Sequence, residues 1–240
     1  MTSFDAFDRR GYRTVDARTG YGAWAPTYED TVQDAMDVEL LDALTELDVA
    51  GATVADLGCG SGRTGAWLHA HGAEAIDGAD VTPEMLEMAR ARGVFRTLVE
   101  ADVGRTGLPE QGYDVVTTSL VDEHLADLRP LYAEAARLLR PGGTYAIVGF
   151  HPHFIMASGM PTHFDDAHGE PVAIVTHVHQ LSDQVAAAHA AGFGLAELRE
   201  RLVDDAWIAL KPKWSALRGH PVAFAAVWRA QGGGFRVLPR

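Results

Sequence analysis

The chain has 240 residues, of which 47% are hydrophobic and 22% charged, so a sizeable core can form and disorder is not expected. Its 33 acidic residues outweigh 20 basic ones, and the formal net charge of −13 repels phosphate backbones and anionic lipid, which argues against nucleic acid or a membrane surface as partner. Cys59 is the only cysteine, which excludes an internal disulfide and a multi-cysteine zinc site.

The first ten residues lack an apolar signal core, and no apolar stretch approaches the roughly 20 residues of a membrane span. A cytoplasmic protein of one domain is expected. Up to about Asp30 the chain is rich in Gly, Arg and aromatics (Tyr12, Tyr21, Trp24, Tyr28) without periodicity. From Thr31 to Leu47, Val32, Ala35, Met36, Leu40, Leu41 and Leu44 recur at helical spacing and predict a helix. Then strand, turn and helix alternate. Thr53–Leu57 reads as a buried strand, 58–62 as a glycine turn and Arg63–His71 as a helix. Ala75–Val81 is a second strand, and Thr82 and Pro83 open a helix that runs to about Arg92. Thr97–Glu100 and Tyr113–Ser119 are the third and fourth strands. The helix Pro130–Leu139 stops at Pro141-Gly142-Gly143, and Thr144–Phe150 is the fifth strand.

Apolar strands alternating with helices imply an α/β fold, a doubly wound, mostly parallel sheet with helices on both faces. After Phe150 the rhythm breaks. Residues 151–180 show no obvious helix, and Val172–His179 could be a half-exposed strand. Ser182–Ala191 predicts a helix, and Gly194–Leu202 and Val222–Ala230 the last strands. The expected organisation is an N-terminal lid and helix (1–50), a ligand-binding half (51–150), an inserted cap (151–181) and a C-terminal helix and strands (182–240). The insertion falls where open α/β sheets bind ligands.

The strongest motif is Val54-Ala-Asp56-Leu-Gly58-Cys59-Gly60-Ser-Gly62. A strand delivers a carboxylate to its end, and a glycine turn then lets a ligand touch backbone before a helix starts. No Gly-Lys-Ser/Thr follows, so this is not a phosphate-binding loop. The dinucleotide fingerprint is met only in the frame Gly60, Gly62, Gly65, which leaves Asp56 and Gly58 unexplained. A carboxylate before the turn suits an ammonium group better than a pyrophosphate. Asp80, closing the second strand, can accept from both hydroxyls of a ribose, while Asp77 should lie inside that strand. Asp102, after the third strand, can accept from an adenine amine.

On Asp56-Leu-Gly-Cys-Gly-Ser-Gly, Asp80-Val-Thr-Pro-Glu-Met-Leu, Ala101-Asp102-Val, Tyr113-Asp-Val-Val and Leu139-Arg-Pro-Gly-Gly-Thr, the chain resembles the class I S-adenosylmethionine-dependent methyltransferases from about Tyr21 to Ala230. The resemblance implies seven strands with the last antiparallel, and S-adenosylmethionine as cofactor, with S-adenosylhomocysteine as product. Asp56 and the backbone of Gly58, Cys59, Gly60 and Gly62 would hold its methionine portion, Asp80 the ribose and Asp102 the adenine amine. Val81, Met85 and Val103 would pack about the adenine. Ser119 and Leu120 would face the sulfonium. Tyr21-Gly-Ala-Trp24-Ala-Pro-Thr-Tyr28 looks like the aromatic segment that closes over cofactor in small-molecule members. Tyr21 is assigned to the cofactor and Tyr28 to the substrate, while Trp24 serves either the site or helix packing.

Methyl transfer needs alignment and dry surroundings, and a base only where the acceptor must lose a proton. His124, after the fourth strand, is the candidate base, or alternatively a packing or capping residue. His151 and His153, and His177 and His179, each two apart, could share a face. They are candidate substrate contacts, with a metal or a polar surface as alternatives. Their spacing matches no metal motif, and no metal is assigned. Lys211-Pro-Lys213-Trp214 reads as a solvated loop, and Cys59 as buried under the cofactor rather than nucleophilic. The expected function is S-adenosylmethionine-dependent methylation of a small molecule. Its alternatives are a related fold that uses the bound cofactor for another reaction, a non-catalytic cofactor-binding partner subunit, and, less favoured, a nicotinamide-dependent oxidoreductase.

Overall fold

A computed structural model describes residues 2–32 and 34–230. In chain order it contains α1 (Ala17–Trp24), α2 (Tyr28–Thr31), α3 (Met36–Ala43), β1 (Thr53–Leu57), α4 (Arg63–Ala70), β2 (Ala75–Asp80), α5 (Pro83–Ala91), β3 (Thr97–Glu100), β4 (Tyr113–Ser119) and α6 (Arg129–Leu138). There follow β5 (Leu139–Phe150), α7 (Pro152–Ser158), α8 (Leu181–Ala190), β6 (Phe193–Leu202), α9 (Asp205–Leu210) and β7 (Pro221–Ala230). The seven strands form one sheet in the order β6-β7-β5-β4-β1-β2-β3. β1 to β5 pair in parallel, and β7 runs antiparallel to both of its neighbours.

The apolar runs that predicted buried strands are explained by helices on both faces. Ala55, Val116, Tyr145, Ile147 and Phe224 pack beside Leu131 and Leu138 of α6. Their chain neighbours turn the other way: Val54 and Val115 pack against Leu68 of α4, and Val148 and Ala225 against Leu40 and Leu41 of α3. Period-two alternation therefore fills both faces with hydrophobic side chains. Asp77, inside β2 as expected, accepts from Arg96 and from the Tyr113 hydroxyl. That pairing holds its carboxyl below the ordinary range against the opposing effect of burial.

Two predicted elements before the insertion differ from expectation. The helix predicted from Thr31 to Leu47 starts only at Met36, apart from α2, which ends at Thr31, because Val32 and Ala35 leave helical geometry (ψ 82° and 23°). The Asp34 carbonyl accepts instead from Arg63 Nη1 at 2.9 Å. The helix also ends early, at Ala43, where the amides of Thr45 and Glu46 both donate to Glu197 at 2.8 Å. The strand after the Pro141-Gly142-Gly143 turn starts at Leu139, with a register shift between Tyr113/Leu139 and Val115/Thr144 that absorbs the turn.

The insertion holds a helix the sequence did not announce, α7, opened by Pro152 and capped by His151. Beyond it, His163–Asp165 and Pro171–Ile174 pair antiparallel, and the latter pairs in parallel with Arg13–Val15. His177–Val178 pairs with Thr2–Ser3. The expected single strand over Val172–His179 is thus two short ones, and both hold the N-terminal segment. Of the predicted 182–240 segment, 231–240 lie outside the described residues.

Candidate cofactor and acceptor site

The end of β1 passes into the glycine turn, where Gly58 and Cys59 donate their amides to Ala79 O at 2.7 and 3.0 Å. Gly58, Gly60 and Gly62 have φ of +71°, +51° and +84°, a region L side chains rarely adopt. The three serve different purposes. A Cβ on Gly58 would lie 2.3 Å from Val121, whereas one on Gly60 would meet nothing within 4 Å. Gly62 lies under α5, with Ala89 Cα 3.1 Å from its ideal Cβ. Gly58, Cys59 and Gly60 line a cavity of about 810 Å³; Gly62, assigned from the sequence to the cofactor, does not. Nor does Asp56, which is buried behind the turn with Oδ1 accepting from Thr117 at 2.8 Å and Oδ2 unpartnered. Burial pushes its carboxyl up to about 7.

Asp80, at the end of β2, is fixed by its own loop. Oδ2 accepts from the Gly60 amide at 2.9 Å and Oδ1 from the Thr82 amide at 2.8 Å. Burial raises its carboxyl, and these amides pull the other way. Val81, Met85, Asp102, Val103, Ser119 and Leu120 line the same cavity, so the ends of β2, β3 and β4 meet at the turn. Leu120 sits at φ +56°, a non-glycine residue in the left-handed region, where the chain leaves β4. The Ser119 hydroxyl is buried without a partner.

Over this floor lies α1. Tyr21 and Tyr28 line the cavity, and Trp24, left between two roles by the sequence, lines it while stacking on Phe164 of the inserted sheet (5.6 Å, 13°). Arg18 pairs with Glu100 at 2.6 Å and Glu29 with Arg92 at 2.6 Å, tying the segment to both edges of the floor.

His124 lies in the cavity wall with both ring nitrogens engaged. Nδ1 is 2.7 Å from Val175 O, which can only accept, so Nδ1 carries the proton. Nε2 then accepts from the Tyr21 hydroxyl at 3.0 Å. Burial pushes the imidazole down to about 4, so at neutral pH it is uncharged.

Beside it is a residue that sequence reasoning passed over. Glu123 lines the cavity, 3% exposed, with Oε1 accepting from Thr162 at 3.0 Å and Oε2 without a partner. Burial drives its carboxyl upward, while the Thr162 hydroxyl opposes this. The signal was the adjacent pair of acids after β4, overshadowed by the histidine that follows. Its neighbour Asp122 points elsewhere and accepts from Gln184 at 2.6 Å.

The cavity wall also carries an apolar cluster. Phe150 stacks on Phe154 (6.2 Å), Phe154 meets the edge of Trp214 (5.0 Å), and Met160 and Phe164 also line the space. The cluster Lys211-Pro-Lys213-Trp214, expected as a solvated loop, borders this cavity, with Lys211 paired to Asp34 at 2.5 Å. The four histidines assigned to substrate do not line it. His151 caps α7 and contacts Glu200 at 3.0 Å, and His153 shares a 2.8 Å hydrogen bond with His220. His179 donates to Leu125 O at 2.7 Å, and His177 lies next to it. The insertion instead contributes His163, through a ring that donates to Pro161 O at 3.0 Å. Among the described residues no cluster of three or more His, Cys, Asp or Glu is placed to hold a metal.

Comparison with known proteins agrees with this geometry. Residues 55–147 match the family described as Methyltransferase domain. A crystal structure of an S-adenosylmethionine-dependent methyltransferase from Mesorhizobium loti superposes with a TM-score of 0.64 at 26% identity, covering 80% of this chain and 96% of that one. Over residues 55–147 the chain is similar to methyltransferases, and its fold is similar to that of an S-adenosylmethionine-dependent methyltransferase.

Among methyltransferase relatives, an uncharacterized methyltransferase of Emericella nidulans is 31% identical over 65% of this chain and 63% of its own length. The methyltransferase GfsG of Streptomyces halstedii is 31% identical over 61% and 59%. The chain therefore spans about three-fifths of the length of these curated relatives. The match to the family described as Methyltransferase domain stops at residue 147, short of the insertion.

Proposed function

We propose that this protein is an enzyme that transfers a methyl group from S-adenosylmethionine to a small-molecule acceptor. One observation carries the reading: a single continuous cavity runs from the glycine turn and Asp80 to the aromatic walls of the insertion. A volume of about 810 Å³ lies at the upper end of the usual range for small-ligand sites. The residues present fit the cofactor. The open side of Gly60 leaves room for a ligand against backbone. Asp80 presents a carboxylate whose angle is set by two amides, leaving lone pairs for a diol, and Ser119 holds an unpartnered hydroxyl. When bound, S-adenosylmethionine supplies a methyl group on a sulfonium, already activated for displacement.

The chain's own residues then bind, orient and exclude water. Asp80 and Asp102 take the nucleoside, Val81, Met85 and Val103 pack about the base, and Tyr21 covers it. Residues 1–50 act as lid, 51–150 as cofactor half and 151–181 as acceptor cap, with 182–240 completing the sheet. A formal charge of −13 supports a small metabolite over nucleic acid as acceptor. No described helix is long and apolar enough to cross a membrane. A cytoplasmic location goes with this reading. The test incubates the protein with S-adenosylmethionine and a metabolite panel, and reads S-adenosylhomocysteine together with an acceptor heavier by one methyl group. S-adenosylhomocysteine formed only with an acceptor supports the reading, and none formed with any acceptor contradicts it.

A further inference from the structure

We propose that Glu123 is the acceptor-side catalytic residue, and that it recognises a hydroxyl group on a flat, uncharged, aromatic acceptor and takes the hydroxyl proton during transfer. The inference rests on the methyl-transfer reading above and deepens it. Its basis is an unfilled valence in the right place. Glu123 is 3% exposed and lines the cavity, yet Oε2 has no partner. A buried carboxylate oxygen left unpaired is costly and marks a site that another donor completes.

The surroundings define the donor. Oε1 is held by Thr162 at 3.0 Å, which fixes the carboxylate and leaves Oε2 as the free end. His124 Nε2 lies 3.7 Å from Oε1, but it already accepts from Tyr21, and its proton is on the far nitrogen. The neutral imidazole therefore supplies no cation. Among the described residues no arginine or lysine forms an ion pair with Glu123. Asp122, the other acid of the pair, accepts from Gln184 through Oδ2 and does not line the cavity. A hydroxyl meets these conditions: it donates to Oε2 and keeps a lone pair for the methyl carbon. An ammonium has no lone pair and would be brought up to the positively charged sulfonium. The same cavity is lined by Phe150, Phe154, Met160 and Trp214, which suit an uncharged aromatic body.

The balance is complete. The hydroxyl oxygen bonds the methyl carbon as the carbon–sulfur bond breaks, with that bond's electron pair left on sulfur. The hydroxyl proton passes to Glu123 Oε2 and leaves to solvent after the ether product departs. A carboxyl raised by burial is a stronger base than one in water, in the direction the transfer needs.

The test uses the protein loaded with S-adenosylhomocysteine, so that nothing turns over, and titrates 2-naphthol against 2-methoxynaphthalene by calorimetry. Wild-type protein should bind the naphthol about tenfold or more tightly than its methyl ether, the margin of a hydrogen bond to a charged group. Glu123→Gln should bind S-adenosylhomocysteine as wild type does and lose most of that margin. With S-adenosylmethionine, 2-naphthol should be methylated by wild type and at least a hundredfold more slowly by the variant. Equal affinity for naphthol and ether in wild type, or no naphthol binding, overturns the proposal whether or not the variant folds. A full margin retained in Glu123→Gln also overturns it, as does methylation of 2-naphthylamine in preference to 2-naphthol. S-adenosylhomocysteine binding without naphthol preference leaves the methyl-transfer reading standing, whereas loss of S-adenosylhomocysteine binding by wild type removes both.

Discussion

At the scale of single residues, the carboxylates divide by what holds them. Asp80 is aimed by the Gly60 and Thr82 amides at the cavity, so its remaining lone pairs are directed before any ligand arrives. Asp80→Ala should weaken S-adenosylmethionine binding by about 1–3 kcal/mol, the range for hydrogen bonds to a charged group. Unchanged affinity by calorimetry would remove Asp80 from the ribose. Asp56 behaves differently, because it is shut behind the turn with Oδ2 unpaired and its carboxyl is raised from 3.8 to about 7. A carboxyl raised in the folded state binds its proton more tightly there than in the unfolded chain. Its contribution is intact below about pH 4 and is lost as pH rises through about 7. Asp56→Asn keeps an acceptor for Thr117 and removes the ionisation. Its stability relative to wild type should therefore grow between pH 5 and 8, towards about 4 kcal/mol at most, by the rule of 1.36 kcal/mol per pKa unit. Denaturant titrations at the two pH values read this, and parallel shifts would contradict it. That Asp80 and Asp102 line the cavity was legible because acids at strand ends point where sheets bind ligands. Glu123 was not, since its role depends on Thr162, brought beside it from 39 residues away.

At the scale of elements, glycine spacing carried two messages that the sequence could not separate. Gly60 faces the cavity, whereas Gly62 and Gly65 let α4 pack close: an ideal Cβ on Gly65 would stand 2.2 Å from Phe95 Cζ. The apparent dinucleotide frame is thus one cavity-facing glycine followed by two packing ones. Gly65→Ala should cost about 1–3 kcal/mol by overpacking, and Phe95→Leu should recover part of that in the double variant. Additive losses would show that the two sites do not meet. The central strands were readable to within a few residues because they are apolar on both faces and bounded by turns. The insertion was not. α7 spans seven residues, too short for a periodic stripe, and two of the strands that follow it pair with the N-terminal segment, distant in sequence. For the same reason the paired histidines, whose spacing suggested one shared face, turn to Glu200, His220 and Leu125 O instead of to the cavity.

At the scale of the whole molecule, the N-terminal segment and the insertion are built together. Arg13–Val15 adds a strand to Pro171–Ile174, Gly20 packs on Ile174, and Trp24 stacks on Phe164. One roof thus spans both halves of the cavity, held to the floor by Arg18–Glu100, Glu29–Arg92 and Tyr21–His124. In the proposed methyl transfer such a roof would cover donor and acceptor together and exclude water from the displacement. The measurement that tests this account most directly is isothermal titration of the protein with S-adenosylmethionine and S-adenosylhomocysteine, with and without EDTA. The account predicts one site per chain, micromolar affinity for both ligands and indifference to the chelator. No binding of either ligand, or binding of a nicotinamide dinucleotide in their place, would contradict it.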